Sequence, residues 1–493
     1  MYLYGGDYNP EQWPESTRSQ DLELMREARV NLVTVGVFSW SLLEPAPGVF
    51  EFDWLDRVLD DLHAAGIGVC LATPTASPPP WFTLAHPDAL PQTREGVRLV
   101  HGSRDTYCVN APAYREACRD IATRLAQRYA RHPALRFWHV HNEYGTWCFC
   151  DHCAVAFREW LLLRYSEIAA LNEAWTAAFW SQRYGRWEEI LPPRATQYLR
   201  NPAHELDYRR FLSDAMLAAY REQRDIIRAA GGSAQVTTNF VLGQWVPVDH
   251  ARWAGEVDVV AIDSYPSTVD SALAESAFAA DAARGWAGGG EWLLMEHPPR
   301  DSPLMERIAL AHIERGSKGA LFFQWRASRG GAEQWHPALV PHGGRDTAMF
   351  RHTVALGSRL ACLPPREALA RARVAVWYDE QCSWALQATH HLPVKLDYEA
   401  EVLRCHSTLE AAGHRVDVIP PGTPLTDYET VVVPAAYMLS DASVAALRDY
   451  PGRLLVGQWS GTVDEHLRVR HCLPFDRTLQ ASYDLPLGER EEQ

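Results

Sequence analysis

Short apolar runs alternate with longer amphipathic ones from the start of the chain to about residue 365, a rhythm that predicts strands each followed by a helix. The apolar runs are LYGGDYN near the start, NLVTVGVFSW (31–40), IGVCLATPT (67–75), LRFWHVHNE (135–143), AQVTTNF (234–240), VDVVAIDSYP (257–266), EWLLMEHPP (291–299) and KGALFFQWR (318–326). Between them, WLDRVLDDLHAAG, YREACRDIATRLAQRYARHP and LMERIALAHIERG have helical spacing and close on Gly or Pro. Eight such units predict an α/β fold, a (β/α)8 TIM barrel over residues 1–369. Each run also ends in polar or aromatic residues: DYNP, SW, TP, HNEYG, TN, DSYP, MEHPP and QWR. A barrel gathers all of these at one mouth, whereas an open doubly wound sheet would use a single switch point, so the barrel is preferred.

After about residue 365 the texture changes. ARVAVWYD, RVDVIPP, ETVVVPAAY and GRLLVGQWS read as strands, with helices over 398–413 and 440–450. They predict a smaller α/β domain of Rossmann or flavodoxin-like type over residues 370–493. It carries no Gly-rich phosphate fingerprint, so no nucleotide and no other organic cofactor is expected, and its expected role is packing or assembly. The last twenty residues form no clear pattern.

Composition narrows the function. A chain of 493 residues with 47% hydrophobic content can bury a large core. A formal charge of -15, without a basic patch, argues against a nucleic-acid partner. The opening MYLYGGDYNPEQW is no signal peptide, and no run is long enough to span a membrane, so a cytoplasmic protein is expected. Ten cysteines are too sparse for a disulfide scaffold. Nineteen tryptophans offer flat faces with one polar edge, a surface suited to sugars, although most should fill core.

A glycosidase needs two carboxyl groups facing each other across the scissile bond. Glu143 ends the fourth predicted strand and Glu296 the seventh, nearly opposite one another at the mouth. Asn142 beside Glu143 could bond a substrate hydroxyl without adding charge. The competing role for either Glu is a salt bridge sealing the rim. Cys148, Cys150 and Cys153 form C-x-C-x-x-C, and Cys108 lies on the loop after the third strand. Brought together, four thiolates would make a closed structural Zn²⁺ site bracing the loop that leaves Glu143, against the alternative of reduced, uncoordinated thiols. Cys70 and Cys118 are expected in the core.

The strings YGGDYNPEQWP, GVFSWSLLEP, GSRDTYCVN, HNEYG, CFCDHC and GAEQWHPALVPHGG, spread over most of the chain, resemble the β-galactosidases of glycoside hydrolase family 42. The resemblance implies release of terminal β-D-galactose from small galactosides with retention, Glu143 being the acid/base and Glu296 the nucleophile. It implies a galactose pocket of Arg104, Asn142, Tyr265, Trp325, Glu333 and His336, with Trp325 as stacking face. It also implies zinc at the four cysteines, and a homotrimer joined through the second domain, in which a neighbouring subunit helps close the site. Relatives usually complete that domain and add a small β domain, so the second domain is expected to be shortened here. Two departures stand out: Asp105 where many relatives carry a basic residue, and His297 where Gln is commoner, both bearing on leaving-group preference. The alternatives are a related glycosidase on α-L-arabinopyranosides or β-D-fucosides, and a non-catalytic sugar-binding protein.

Overall fold

The computed structural model describes residues 1–243, 245–365 and 369–475. The weakly patterned end of the chain, 476–493, lies outside the described residues. The first sheet contains β1 (Leu3–Tyr8), β2 (Leu32–Val35), β3 (Gly68–Thr73), β4 (Leu135–Val140), β5, β6 (Val260–Asp263), β7 (Trp292–Glu296) and β8 (Ser317–Phe322). Strand β5 is interrupted: Gln235–Thr237 pairs with β4, and Asn239–Val241 pairs with β6. That split strand closes the sheet into a barrel in which every pairing is parallel. The predicted (β/α)8 barrel is what the chain forms.

Alternation along the strands divides the core in two. Leu32, Cys70, Phe137, Ala261, Leu293, Met295 and Leu321 fill the barrel lumen as a cluster of their own. Their neighbours, such as Val33, Leu71, Trp138, Ile262 and Leu294, face the surrounding helices. Cys70 and Cys118 are both buried, as expected of core residues. Strand β1 runs close to its neighbours: a Cβ on Gly6 would lie 2.1 Å from the Phe322 carbonyl oxygen, so only glycine fits there.

Strand β7 breaks the alternation. Ile262 pairs with Leu294 but Asp263 pairs with Glu296, leaving Met295 as an extra residue in a β-bulge. Without the bulge, Glu296 would follow the lumen-facing Met295 and turn outwards. With it, Glu296 shares a face with Asp263 and points into the mouth.

The second sheet contains β9 (Val374–Trp377), β10 (Val416–Ile419), β11 (Thr430–Val433) and β12 (Arg453–Val456), all parallel, in the order β10-β9-β11-β12. The helices expected over 398–413 and 440–450 occur as Tyr398–Ala411 and Asp441–Arg448. A further helix, Glu380–Ala388, was not legible in the pattern; it packs against the long barrel helix Pro202–Ala229.

This sheet is pressed against the barrel helix Ala272–Trp286. A Cβ on Gly285 would come within 1.7 Å of the Val418 carbonyl oxygen. Around that contact, Arg284 pairs with Asp417 at 2.7 Å, and His406 meets Asp281 at 2.9 Å. Arg315 joins Asp281 and Glu410 in the same cluster, and its guanidinium, together with that of Arg284, balances these acids. No described helix is long and apolar enough to cross a membrane.

Candidate active site

The site is built where β4 ends. His141 and Glu143 both take positive φ, 66° and 46°, a left-handed backbone that non-glycine residues rarely adopt. Such conformations cost about 1–3 kcal/mol each and persist only where neighbours hold them. Here the His141 amide donates to Thr73 Oγ1 at 2.9 Å, and its ring sits between the Thr75 and Tyr107 hydroxyls. The Glu143 amide donates to Asn239 Oδ1 at 2.7 Å. The chain is thereby bent so that Glu143 projects back across the mouth.

Oxygens of Glu143, Asp263 and Glu296 all lie within 4.8 Å of one another. Asn239, at the break in β5, links them. Its Nδ2 donates to Asp263 Oδ2 at 2.6 Å, Asn142 Oδ1 at 3.1 Å and Glu296 Oε1 at 3.3 Å. Asn142 in turn donates to Glu143 Oε2 at 3.3 Å, and the Tyr265 hydroxyl donates to Glu296 Oε2 at 2.8 Å. Arg104 reaches Glu143 Oε2 at 2.5 Å. For two carboxyl groups to act as nucleophile and acid/base on one sugar they should stand about 5–5.5 Å apart, whereas a wider gap admits a water and leads to inversion. An oxygen of Glu143 and one of Glu296 lie within 4.8 Å of each other, a closer approach than the about 6.5–9.5 Å separation of the inverting arrangement.

So many acids in one buried place oppose ionisation. Glu296 is pushed well above the usual carboxylate range by burial and by the nearby Asp7 and Glu143, with Tyr265 working the other way. Asp263 is raised by burial and by the charge of Glu296. Asp7, on β1, is pushed up to about 8, chiefly by burial and also by Glu143, with Thr34 lowering it.

The linkage has a definite sign. An unfolded aspartate loses its proton near pH 3.9, whereas folded Asp7 holds it to about 8, so this term favours folding below pH 4 and is lost as the pH rises towards 8. Asp7→Asn removes the term. Its Tm should gain on that of wild type as the pH rises from 5 to 8, by about 5 °C over that range in thermal scans. A constant difference would place the burial penalty elsewhere.

Most of the residues expected in the pocket converge. Arg104, Asn142 and Tyr265 bond the carboxylates as described. His336 packs against Tyr265, ring centroids 6.1 Å apart, and against Phe323 at 4.9 Å. Glu333 is exposed on the same loop and adds to the negative field at Arg104. Asp105 lies 3.5 Å from Arg104 and is pushed up to about 7 by burial, so it moderates that cation instead of adding a second one.

Two expectations are corrected. Trp325 is fully buried: its backbone amide donates to the Asp7 carbonyl at 2.8 Å and its indole N–H to Asp21 at 3.4 Å, leaving no face open to a sugar. It is a core residue bracing β8 against helix Thr17–Glu27. His297 also turns away from the mouth, fully buried with Nδ1 on the Leu321 carbonyl at 3.0 Å. Its pKa is pushed down to about 3, so it is a neutral core ring without contact to a leaving group. Asp7, Asn239 and Asp263 join the site beyond the expected residues, and each lies in a polar strand tip, DYNP, TN and DSYP.

The four cysteines do meet. Cys108, Cys148, Cys150 and Cys153 are buried, with all four sulfurs within 4.8 Å of one another and none in a disulfide. Cys108 stands 3.4 Å from Cys150 and 3.5 Å from Cys153, and Cys150 stands 3.9 Å from Cys153. A regular tetrahedron of thiolates at about 2.3 Å from a central ion has edges of about 3.8 Å, close to these separations. The Gln92 amide and the Asn110 side chain donate to the sulfurs of Cys148 and Cys153, as partners of thiolates do. The donor set can hold a metal ion.

A closed barrel with two facing carboxyl groups on the ends of its fourth and seventh strands has the architecture of a glycoside hydrolase. The chain belongs to glycoside hydrolase family 42, whose enzymes are retaining β-galactosidases. Residues 7–363 match the family's sequence profile, described as β-galactosidase, and 372–476 match that of the β-galactosidase trimerisation domain. A β-galactosidase from Arthrobacter sp. is 43% identical over 95% of this chain and 70% of its own length. One from Geobacillus kaustophilus is 40% identical over 94% of this chain and 72% of its own. The crystal structure of the β-galactosidase from Rahnella sp. R3 superposes with a TM-score of 0.91 at 35% identity, covering 95% of this chain and 72% of that one. These relatives favour galactosides over the arabinopyranoside, fucoside and non-catalytic readings.

Proposed function

We propose that Glu296 is the nucleophile and Glu143 the acid/base in the release of terminal β-D-galactose from small galactosides. The observation that carries this assignment is the Glu143–Glu296 spacing, with Asn239 bonded to both residues. The Tyr265 hydroxyl and the Arg104 charge favour the carboxylate form of Glu296 against its burial, and that carboxylate attacks C1 while protonated Glu143 gives its proton to the departing glycosidic oxygen. The bond from C1 to that oxygen breaks as the ester to Glu296 forms. Ester formation removes the charge on Glu296 and leaves Glu143, beside the Arg104 guanidinium, to act as the base of the second step. Glu143 then takes a proton from water, which attacks C1 and frees Glu296. Arg104, Asn142, Glu333 and His336 supply donors and acceptors for the sugar hydroxyls.

Glu143→Ala tests the assignment. It should lower kcat/KM for a galactosyl disaccharide by roughly 10³-fold and for dinitrophenyl galactoside far less, because the activated phenolate leaves without a proton. Equal losses on both would remove Glu143 from the acid role.

The cysteine cluster fits Zn²⁺, which would be held by Cys108, Cys148, Cys150 and Cys153 as a closed structural tie with no position for substrate. Ten reduced cysteines and a thiolate site suit a cytoplasmic enzyme. Assembly as a homotrimer through the second domain is supported by the trimerisation-domain match. The division of the chain into 1–369 and 370–493 belongs to the same reading. It falls beside residues 366–368, which are outside the described ones.

A further inference from the structure

A groove of 510 Å³ joins the mouth, where Glu143, Asp263 and Tyr265 line it, to the second domain, and lies within the range of about 300–1,000 Å³ common for small-molecule sites. Glu143 and Tyr265 line its inner end, and Tyr378, Asp397 and Glu399 its outer end. The group that protonates the leaving oxygen faces the leaving group, so a channel opening beside Glu143 runs in the direction the departing sugar must take.

Trp245 stands along this channel and is 56% exposed. Its position is fixed: the Trp147 indole N–H donates to its carbonyl at 2.9 Å, and its ring packs over Gly145, two residues beyond Glu143. An indole face beside the acid, with carboxylates beyond it, is the chemistry that receives a neutral hexose. Ring C–H groups lie on the aromatic face and hydroxyls donate to the carboxylates. Asp397 is held by capping helix Tyr398–Ala411, its Oδ1 accepting from the Ala400 amide at 3.1 Å.

We infer that Trp245 and the Asp397 end of the second domain form the binding site for the leaving-group sugar, so that the second domain takes part in substrate choice. The inference rests on the proposed assignment of Glu143 as the acid. The site takes neutral hexosyl leaving groups and disfavours anionic ones such as uronates, which would meet Asp397 and Glu399.

The test compares a β-galactosyl hexose disaccharide with β-galactosyl fluoride, whose leaving group is too small to reach the groove. In Trp245→Ala and in Asp397→Asn, which keeps a capping side chain, the ratio of kcat/KM for disaccharide to that for fluoride should fall by about tenfold. A ratio unchanged in both variants, or equal losses on both substrates, would overturn the inference. Equal losses would make Trp245 a support for the Glu143 loop. Wild-type enzyme that cleaves neither substrate would refute the parent reading instead, so the two failures are distinguishable.

Discussion

Glu296→Gln should lower kcat on every galactoside by at least about 10⁴-fold while leaving the protein as stable as wild type or more so. The amide keeps the shape of the carboxylate and can still accept from Tyr265, but it cannot form the ester at C1. It also removes a buried acid whose ionisation is opposed by Asp7 and Glu143, so the Tm should rise by about 1–3 °C. Loss of rate together with a higher Tm marks a group kept for chemistry at the expense of the fold. A buried acid serving only to seal the rim would behave in the opposite way, its replacement lowering the Tm and sparing the rate. Activity assays and thermal scans on one preparation decide between the two.

Cys148→Ser should cost stability more than rate. The four sulfurs tie the loop after β3 to the segment that follows Glu143, and Cys148 is buried between Cys108 and the Gln92 amide. A closed thiolate site contributes its binding energy to folding, so losing one ligand should lower the Tm by about 10 °C. Elemental analysis should find one zinc per wild-type chain. A chelator should reproduce the destabilisation in wild type and add nothing in the variant. Uncoordinated thiols predict a Tm within about one degree of wild type and no response to chelator.

What the sequence disclosed follows from the range of the forces involved. Strand rhythm and polar strand ends are local, and they located the barrel, Glu143 and Glu296 without tertiary information. The aim of Glu296 was not local, because it depends on a bulge at Met295 that exists only in the pairing of β7 with β6. The placement of the tryptophans is not local either. Trp325 and Trp245 both follow polar strand ends, but Asp21, three hundred residues away in sequence, draws the first into the core. Gly145 and Trp147 hold the second at the surface. Asn239 and Asp263 look like ordinary strand-end polar residues until the closed barrel brings the carboxyl groups of Asp263 and Glu296 and the backbone amide of Glu143 around one side-chain amide. His297 shows the converse, a polar residue beside the nucleophile that the fold turns into the core.

The central claim is that Glu296 bonds covalently to the sugar, and trapping tests it most directly. Incubation with a 2-deoxy-2-fluoro-β-galactoside carrying an activated leaving group, followed by digestion and peptide mass analysis, should find one fluorogalactosyl group on the peptide containing WLLMEHPP, at Glu296. A label on Glu143 or Asp263, or turnover that yields the α-anomer with no labelled peptide, would contradict it.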